Sequence, residues 1–303
     1  MKKKITAVVV TYNRLNLLKK CISALKKQTF PLDNIIVINN DSQDGTTEWL
    51  YTQGDLDVIH QANVGGSGGF AKGLEYAFSK GFDWIWAMDD DVNPSNTCLE
   101  NLLKYTKDDI GILVPLRIQD GKYYLEETCK LNFSNFFSPL KEKELTESDI
   151  QDKLKIPIEG MTFEGPLINC NLIKKIGLPN KDYFILYDDT DYSYRSVING
   201  FPVFLIPEAI MNKELIINAS FGQSKNNRSQ IWKTYYLIRN NTYFNVKYGE
   251  NILVRYVRPI FVTIKYSKHF FKNILFNNKY KWIDIYFFWH ALFLGYRKNL
   301  NKI

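Results

Sequence analysis

Three adjacent carboxylates follow a short apolar segment in the first third of the chain. Trp84 to Met88 is typical of a buried strand, and Asp89, Asp90 and Asp91 come directly after it. Adjacent acids repel one another, so the cluster is costly unless a cation shares its site. Carboxylate oxygens suit Mg²⁺ or Mn²⁺, which neutralises a departing diphosphate. The sequence therefore predicts a metal and diphosphate site here, and a solvated helix-capping loop is the alternative.

A second acidic group, Asp188, Asp189 and Asp191, follows the apolar segment Phe184–Tyr187. A carboxylate at a second strand end is what a displacement reaction needs when a hydroxyl nucleophile must lose its proton. A structural explanation also stands: acids in the first turn of a helix are stabilised by its dipole, and Asp191 and Arg195 have the spacing of a helical ion pair.

A glycine-rich segment offers a competing function. Gly66 to Ala71 matches the G-x-G-x-x-A variant of the dinucleotide fingerprint, with acids about 20 residues further on, which would indicate a dehydrogenase. Against that reading, the segment lies in the third strand–helix unit rather than the first. It is not a phosphate-binding P-loop either, because Lys72 is followed by Gly73. We expect its glycines to let the backbone pass close to a nucleotide sugar.

The elements that position these groups alternate between strand and helix. Short β-branched runs of strand type lie at Ile5–Val10, Ile35–Ile38 and Val58–Ile59, and apolar residues recur at helical spacing after them. This alternation predicts an α/β fold with a mostly parallel sheet flanked by helices. The loops that follow parallel strands share one edge, so we expect Thr11, residues 39–44 and residues 89–91 to converge.

The C-terminal segment differs from the rest in charge and composition. Residues 225–303 hold 15 Lys/Arg and 2 Asp/Glu, a formal +13, whereas residues 1–224 hold 24 and 30, a formal −6. From Trp232 onward the chain also holds 20 of its 45 aromatic residues. Trp282–Tyr296 is shorter than the roughly 20 apolar residues that span a bilayer. An interfacial helix on anionic headgroups fits better, and no nucleic-acid motif is recognised.

The whole-chain totals exclude disorder and favour a cytoplasmic protein. In 303 residues, 45% hydrophobic content is enough to build a large core. The four cysteines lie far apart, without the spacing of a zinc site, and are interpreted as reduced thiols. The start Met-Lys-Lys-Lys is not followed by the apolar core of a signal peptide.

Taken as a set, these segments resemble the family 2 glycosyltransferases. The resemblance in the first 115 residues is carried by Val8–Arg14, Asn39–Thr46, Asn63–Gly66 and Met88–Asp91. Later segments resemble the bacterial galactofuranosyltransferase and rhamnosyltransferase branch, which builds lipid-linked cell-surface polysaccharides. These segments are Gly65–Phe70, Phe163–Pro166, Tyr187–Tyr192 with Arg195, and Trp232–Asn240.

The resemblance implies a GT-A fold, a UDP- or dTDP-sugar donor, a divalent metal and inversion at the anomeric carbon. By position, Asp89 and Asp91 would hold the metal and Asp189 would be the catalytic base. The residues implied in donor binding are Thr11, Tyr12, Asn13, Arg14, Asn39, Asp41, Asp44, Asn63, Gly65, Gly66, Lys72, Asp89 and Asp90. Those implied in acceptor binding are Gly165, Pro166, Asp188 and Asp191.

The expected organisation is a catalytic domain over residues 1–224 and a membrane-associating helical extension over residues 225–303. Within the first, residues 1–115 would bind the nucleotide sugar and residues 116–224 the acceptor. The expected acceptor is a lipid-linked glycan at the cytoplasmic face of the bacterial cell membrane, and a homo-oligomer is possible.

Two departures from the family pattern affect the expected site. The turn that contacts the base usually begins with Asp, whereas Asn39 stands there. A histidine often follows a later strand as a metal ligand, but Ile210–Lys213 contains none, so that Asn212 or water would have to replace it.

Two other classes of function share some of these features. A sugar nucleotidyltransferase uses the same sheet and metal-binding acids, but its glycine-rich loop normally follows the first strand, where Thr11-Tyr12-Asn13 stands. A non-catalytic, membrane-associated glycan-binding protein would keep the basic, aromatic segment but has no use for two carboxylate clusters.

Overall fold

The computed structural model describes residues 3–214, 227–277 and 280–300. The chain divides into two compact units. The first comprises residues 1–130, 143–181 and 189–215, and the second comprises residues 131–142, 182–188 and 216–303. The domain boundary predicted between residues 224 and 225 lies outside the described residues.

The strands are β1 (Ile5–Thr11), β2 (Asn34–Asn39), β3 (Asp57–His60), β4 (Trp84–Asp89), β5 (Val92–Pro94), β6 (Ile112–Gln119), β7 (Lys122–Tyr123), β8 (Cys129–Leu131), β9 (Lys141–Glu144), β10 (Ile156–Ile158), β11 (Glu164–Asn169) and β12 (Val203–Lys213). The helices are α1 (Leu15–Lys26), α2 (Thr46–Tyr51), α3 (Gly65–Ser79), α4 (Cys98–Leu103), α5 (Glu147–Ile150), α6 (Cys170–Ile176), α7 (Asp188–Ile198), α8 (Asn227–Tyr248), α9 (Arg258–Asn277) and α10 (Trp282–Tyr296).

The central sheet of the first unit has the strand order β3-β2-β1-β4-β11-β6-β12-β10, with β5 beside β12 and β7 beside β6. Strands β3, β2, β1 and β4 are parallel, as the alternation of strands and helices predicted. Strand β11 runs antiparallel to both of its neighbours, β4 and β6. Because of this reversal, the start of β11 lies at the same sheet edge as the end of β4.

Helices cover both faces of this sheet, because its central strands are apolar on both sides. All seven residues of β1 are buried. One face packs against α1 through Leu18 and Ile22, and the other packs against α3 through Phe70 and Leu74. A strand without a polar face cannot lie at a surface, so the sequence of β1 requires the observed three-layer arrangement.

Glycines on α3 let this helix lie very close to the sheet. A β-carbon on Gly69 would lie 2.6 Å from a Val10 methyl carbon, and one on Gly73 would run into Val8 and lie 3.1 Å from Ile38. The glycine-rich segment forms the first turns of α3, and its Gly69, together with Gly73 one turn further on, allows the close helix-to-strand packing.

The second unit is built around helices α8, α9 and α10. Their shared core contains Tyr236, Phe270 and Phe288, and the rings of the latter two lie 4.7 Å apart. Gly295 of α10 lies so close to α8 that an added β-carbon would be 2.6 Å from the Arg239 carbonyl oxygen. Within the described residues, no helix is long and apolar enough to span a bilayer.

Buried polar side chains of α8 hold a turn of unusual backbone conformation in the second unit. Phe184, Leu186 and Tyr187 all have a φ near +70°, a region that non-glycine residues rarely adopt. The Arg239 guanidinium donates to the Tyr183 carbonyl at 2.9 Å. Asn240 donates to the Ile185 and Leu186 carbonyls at 2.8 and 3.0 Å. These hydrogen bonds offset the conformational cost of the turn.

The close packing of α3 gives a test of the fold. We expect Gly73→Ala to lower the free energy of unfolding by about 1–3 kcal/mol, because the new methyl group overpacks the contact with Val8 and Ile38. Urea unfolding followed by circular dichroism measures the change. Gly66→Ala in the same helix is the matched control, since its β-carbon would meet nothing within 4 Å. Equal destabilisation by both substitutions would contradict the packing argument.

Candidate functional site

The predicted convergence of loops at one sheet edge is confirmed by the strand register. Thr11 pairs with Asn39, and Val10 pairs with Asp89. The Thr11 hydroxyl donates to Asp90 Oδ2 at 2.6 Å, which joins the end of β1 to the acidic segment. Parallel strands place their carboxyl ends together, and ligands of open α/β folds bind at that edge.

Arg14 is the first of three cations at the acidic segment. Its Nη1 atom lies 3.1 Å from Asp90 Oδ1 and 3.2 Å from Asp91 Oδ2, so that one guanidinium bridges two carboxylates. Both carboxylates are buried, whereas Arg14 is partly exposed. The repulsion expected between adjacent acids is therefore relieved in part by a side chain from the loop after β1.

A fourth carboxylate, Glu164 at the start of β11, joins the cluster with two further cations. Glu164 forms ion pairs with Arg117 of β6 and Lys213 at the end of β12. The Lys213 ammonium also lies 3.7 Å from Asp91 Oδ2. Lys213 thus lies between a carboxylate of β11 and one of the acidic segment. We call Asp89, Asp90, Asp91 and Glu164 the carboxylate cluster.

Even with three cations, the cluster is short of positive charge. Burial, together with the Asp91 and Asp90 carboxylates, raises the pKa of Asp89 well above its usual value. Burial also raises the pKa of Asp90 to about 6, although Arg14 and Thr11 favour its ionised form. Burial opposes ionisation of Glu164 as well, but Arg117 and Lys213 outweigh it and hold the pKa of Glu164 below its usual value.

The residues present fit a divalent cation. Carboxylate oxygens of Asp89, Asp91 and Glu164 all lie within 4.8 Å of one another. Asp91 Oδ1 is buried and has no hydrogen-bond donor among the described residues, which is costly for a carboxylate oxygen. Hard oxygen ligands in this arrangement suit Mg²⁺ or Mn²⁺. Asn212, named as a substitute for a missing histidine, is exposed and donates instead to the Asn93 carbonyl at 3.3 Å.

The predicted donor-binding residues after β1 and β2 hold the two loops together. Asn13 Oδ1 accepts from the Gln43 amide at 2.6 Å. Asp44 accepts from the amides of Leu15 and Thr46, the first residues of α1 and α2, at 2.9 and 3.2 Å. These bonds fix both loops and both helix starts.

The other predicted donor-binding residues of these loops differ in burial and in hydrogen bonding. Asn39 is buried, and its side chain contacts Thr47 and His60 at 2.8 and 3.1 Å. Tyr12 and Asp41 are exposed beside it, and Asp41 has a φ of +65°. Their assignment to the donor stays a prediction.

Three of the predicted donor-binding residues of the third strand–helix unit, Asn63, Gly65 and Gly66, lie at the start of α3. Asn63 Oδ1 accepts from the amide of Gly65 at 3.0 Å, and Gly65 has a φ of +78°. Gly66 is the next helical residue, with open space where a side chain would be. Lys72 lies further along the helix and forms an exposed ion pair with Glu75 at 2.8 Å.

Gly165 and Pro166, assigned to the acceptor, are buried in β11. Gly165 has a φ of +99°, and a side chain there would run into Met211 and Pro115. Its carbonyl accepts from the Trp86 indole at 2.8 Å. The register of β11 against β4 shifts between Glu164 and Leu167, so this glycine allows the irregularity beside Glu164.

The second acidic group lies in the first turn of α7. Asp189 is half-buried, and its Oδ1 atom accepts from the amide of Thr190 at 2.7 Å. Asp191 is fully buried, with Arg195 at 3.7 Å in the spacing of a helical ion pair. Asp188 is buried at the end of a stretch that belongs to the second unit. The roles of all three acids stay predictions.

Glu164, Arg117 and Lys213 are site residues that the sequence did not predict. The signal for Glu164 was an acid at the start of a strand segment, but a parallel strand would place that start at the opposite edge of the sheet. The signal for Lys213 was a cation at the end of β12, next to Asn212.

Comparison with known proteins gives a consistent set of similarities. Residues 6–177 match the family model described as Glycosyl transferase family 2. The galactofuranosyltransferase GlfT1 of Mycolicibacterium smegmatis is 28% identical over 204 residues, which cover 65% of this chain and 67% of that protein. The dTDP-rhamnosyl transferase RfbF of Shigella flexneri is 27% identical over 218 residues, which cover 70% and 69%.

Solved structures show the same fold at low sequence identity. A crystal structure of GalNAc-T7 with UDP, GalNAc and Mn²⁺ gives a TM-score of 0.58 at 14% identity over 84% of this chain, which spans 53% of that one. The mannosyltransferase PcManGT of Pyrobaculum calidifontis, in complex with GDP-Man and Mn²⁺, gives 0.54 at 13% identity and covers 98% and 88%. The expected GT-A fold is confirmed.

The buried ion pairs of the carboxylate cluster give a test of its electrostatics. We expect Arg117→Met to lower the free energy of unfolding by about 2–3 kcal/mol, because it removes the buried cation that hydrogen-bonds to Glu164 and leaves that carboxylate, which is 12% exposed, with Lys213 alone. Urea unfolding measures the loss. Lys104→Met is the matched control, since it breaks an exposed pair with Glu208 worth about 1 kcal/mol or less. A loss of that size from Arg117→Met would contradict the assignment.

Proposed function

The chain belongs to glycosyl transferase family 2, and we propose that it is an inverting, metal-dependent enzyme that transfers a sugar from a nucleoside-diphosphate donor to a hydroxyl group of a lipid-linked glycan. One observation carries the proposal. The carboxylates of Asp89, Asp91 and Glu164 meet at the carboxyl end of β4, with a buried Asp91 oxygen left unbonded among the described residues.

The expected donor is a UDP- or dTDP-sugar carrying galactofuranose or rhamnose. Support comes from two relatives whose similarity covers 65% and 70% of this chain, one named a galactofuranosyltransferase and the other a dTDP-rhamnosyl transferase. The donor would contact the loops that follow β1 and β2 and the start of α3, including Thr11, Asn39 and Asn63. Arg14 adds a cation on the same side of the sheet edge.

In the proposed reaction, Asp189 takes the proton of the acceptor hydroxyl. The acceptor oxygen forms a bond to the anomeric carbon as the bond from that carbon to the diphosphate oxygen breaks, which inverts the configuration. The nucleoside diphosphate leaves, and the proton remains on the Asp189 carboxylate until it passes to solvent.

Asp89, Asp91 and Glu164 would hold a divalent cation for this reaction. When bound, such a cation neutralises the charge that develops on the departing diphosphate. Arg14 and Lys213 add fixed positive charge at the same edge, and positive groups aimed at developing charge stabilise the transition state.

The membrane is the proposed partner of the second unit. Trp282, Tyr286, Trp289 and Phe293 recur along one side of α10 and are 62%, 62%, 42% and 51% exposed. The opposite side of the helix packs into the core through Phe288 and Leu292. We call Trp282, Tyr286, Trp289 and Phe293 the α10 stripe. Exposed apolar patches of this kind mark interaction sites.

Charge favours an anionic bilayer over a second copy of the chain as the occupant of the α10 stripe. Exposed cations, Lys281 at one end and Arg297 and Lys298 at the other, flank the stripe. Facing copies would bring like charges together, whereas anionic headgroups attract them. Trp and Tyr rings suit the interface between headgroups and acyl chains. The proposed location is therefore the cytoplasmic face of the bacterial cell membrane.

The catalytic assignment is tested by Asp189→Asn and Asp91→Asn. We expect Asp189→Asn to lower kcat by about 10²–10⁴-fold, because the acceptor loses its base. We expect it to keep the rise in Tm that Mn²⁺ with UDP or dTDP produces. Asp91→Asn should lose most of that rise, since it removes a metal ligand. Sugar transfer from UDP-galactofuranose and dTDP-rhamnose onto polyprenyl-linked glycan, measured in parallel, gives kcat.

Asp55→Asn serves as the control for both variants, because Asp55 is an exposed carboxylate paired with Lys26. Wild-type turnover in folded Asp189→Asn would remove that residue from the mechanism. Release of pyrophosphate from a nucleoside triphosphate would instead support a nucleotidyltransferase. Failure to bind any donor or Mn²⁺ would leave only the glycan-binding alternative.

The membrane assignment is tested by co-sedimentation with vesicles of phosphatidylglycerol and phosphatidylcholine. We expect the double variant Trp282→Ser/Trp289→Ser to bind at least ten-fold more weakly, about 1.4 kcal/mol, because two interfacial anchors are lost. Binding of the wild type should weaken with added salt and with neutral lipid. Tyr51→Ser, which removes an aromatic residue that is 75% exposed in the first unit, is the control. Undiminished sedimentation of the double variant would refute the surface.

A further inference from the structure

Lys213 occupies a special position among the three cations of the carboxylate cluster. Its ammonium contacts Glu164 and lies 3.7 Å from Asp91 Oδ2. Both of these carboxylates belong to the trio that fits a divalent cation. The positive charge of Lys213 and that of a bound metal would therefore serve the same two carboxylates.

Each of the other two cations contacts one carboxylate of this trio and also an acceptor outside it. Arg117 is buried and donates to the Glu126 carbonyl as well as to Glu164. Arg14 bridges Asp90, which is outside the metal-binding trio, to Asp91. Lys213 has no backbone partner among its described hydrogen bonds, and its side chain is 14% exposed. Of the three, Lys213 is best placed to exchange partners.

The chemistry of the side chain supports such an exchange. A lysine ammonium is a compact point charge on a flexible stem, whereas an arginine guanidinium is a rigid fork that suits fixed pairs. If Lys213 leaves Glu164, the Glu164 charge is still compensated by Arg117. When Lys213 changes partners, Glu164 therefore still has a cation, and the exchange does not incur the desolvation cost of an unpaired carboxylate.

We propose that Lys213 is a resident counter-cation of the metal site that changes partners during donor binding. Without ligands, its ammonium compensates Asp91 and Glu164. Asp91 and Glu164, with Asp89, would hold a divalent cation, and the Lys213 ammonium would then bind an anionic oxygen of the donor diphosphate. Lys213 is then a substrate-contacting residue that couples metal binding to donor binding. This inference rests on the proposed function and identifies a further residue of that site.

The proposal predicts effects of opposite sign in one variant. Lys213→Met should bind Mn²⁺ alone at least three-fold more tightly, because a competing cation is gone. At saturating Mn²⁺ it should bind UDP or dTDP at least ten-fold more weakly, because a phosphate contact is gone. Isothermal titration measures both affinities. A lysine that only balances charge would, when removed, weaken nucleotide binding only through space, by less than the expected ten-fold.

Two further variants complete the experiment. Lys213→Arg keeps the positive charge but exchanges partners less readily, so its nucleotide affinity should fall between that of the wild type and that of Lys213→Met. Lys104→Met removes a lysine that pairs with Glu208 and should change neither affinity. Near-ultraviolet circular dichroism confirms that each variant is folded.

The outcomes separate this inference from the proposed function. Unchanged or weaker Mn²⁺ binding by folded Lys213→Met overturns the competition. Unchanged nucleotide binding by the same variant overturns the phosphate contact. A wild-type protein that binds neither Mn²⁺ nor either nucleotide refutes the proposed metal-dependent transfer itself, and the inference with it.

Discussion

The excess of carboxylate charge at the end of β4 is the constraint on which the first unit depends. Asp89, Asp90 and Asp91 are joined by Glu164, and the compensating cations come from three separate parts of the chain. These cations are Arg14 after β1, Arg117 on β6 and Lys213 at the end of β12. Neutralising the acids therefore ties distant segments together, and the remaining shortage of positive charge leaves the cluster suited to a metal.

Many polar residues at the sheet edge already have structural partners. Asp44 accepts from the starts of α1 and α2, and Asn13 joins the loop after β1 to the loop after β2. These bonds do not conflict with donor binding, because a ligand site requires loops that are already held in place. They do mean that substituting Asp44 would change the helix starts as well as any donor contact. Asp91 differs, since one of its buried oxygens has no described partner.

The sequence predicted the first half of the fold well, because parallel strand–helix units have a strong periodic pattern. It correctly brought Thr11, Asn39 and Asp89 to one edge. It could not give the direction of β11, because a buried strand has the same hydrophobic pattern in either orientation. Reversing β11 moves Glu164 to the acidic edge, where it gains Arg117 and Lys213. The sequence therefore did not predict Glu164 and its ion pairs because it does not reveal strand direction.

The second unit shows a different limit of sequence reasoning. Composition predicted aromatic, basic helices, and the structure contains them. Residues 131–142 and 182–188 also belong to this unit, although they lie far earlier in the chain. Buried Arg258 donates to the backbone of the first segment and buried Arg239 to that of the second. Periodicity also could not tell which side of α10 is buried, since that helix is apolar all round. The small Gly295 decides it, because it allows close approach to α8 and leaves Trp282 and Trp289 facing outward.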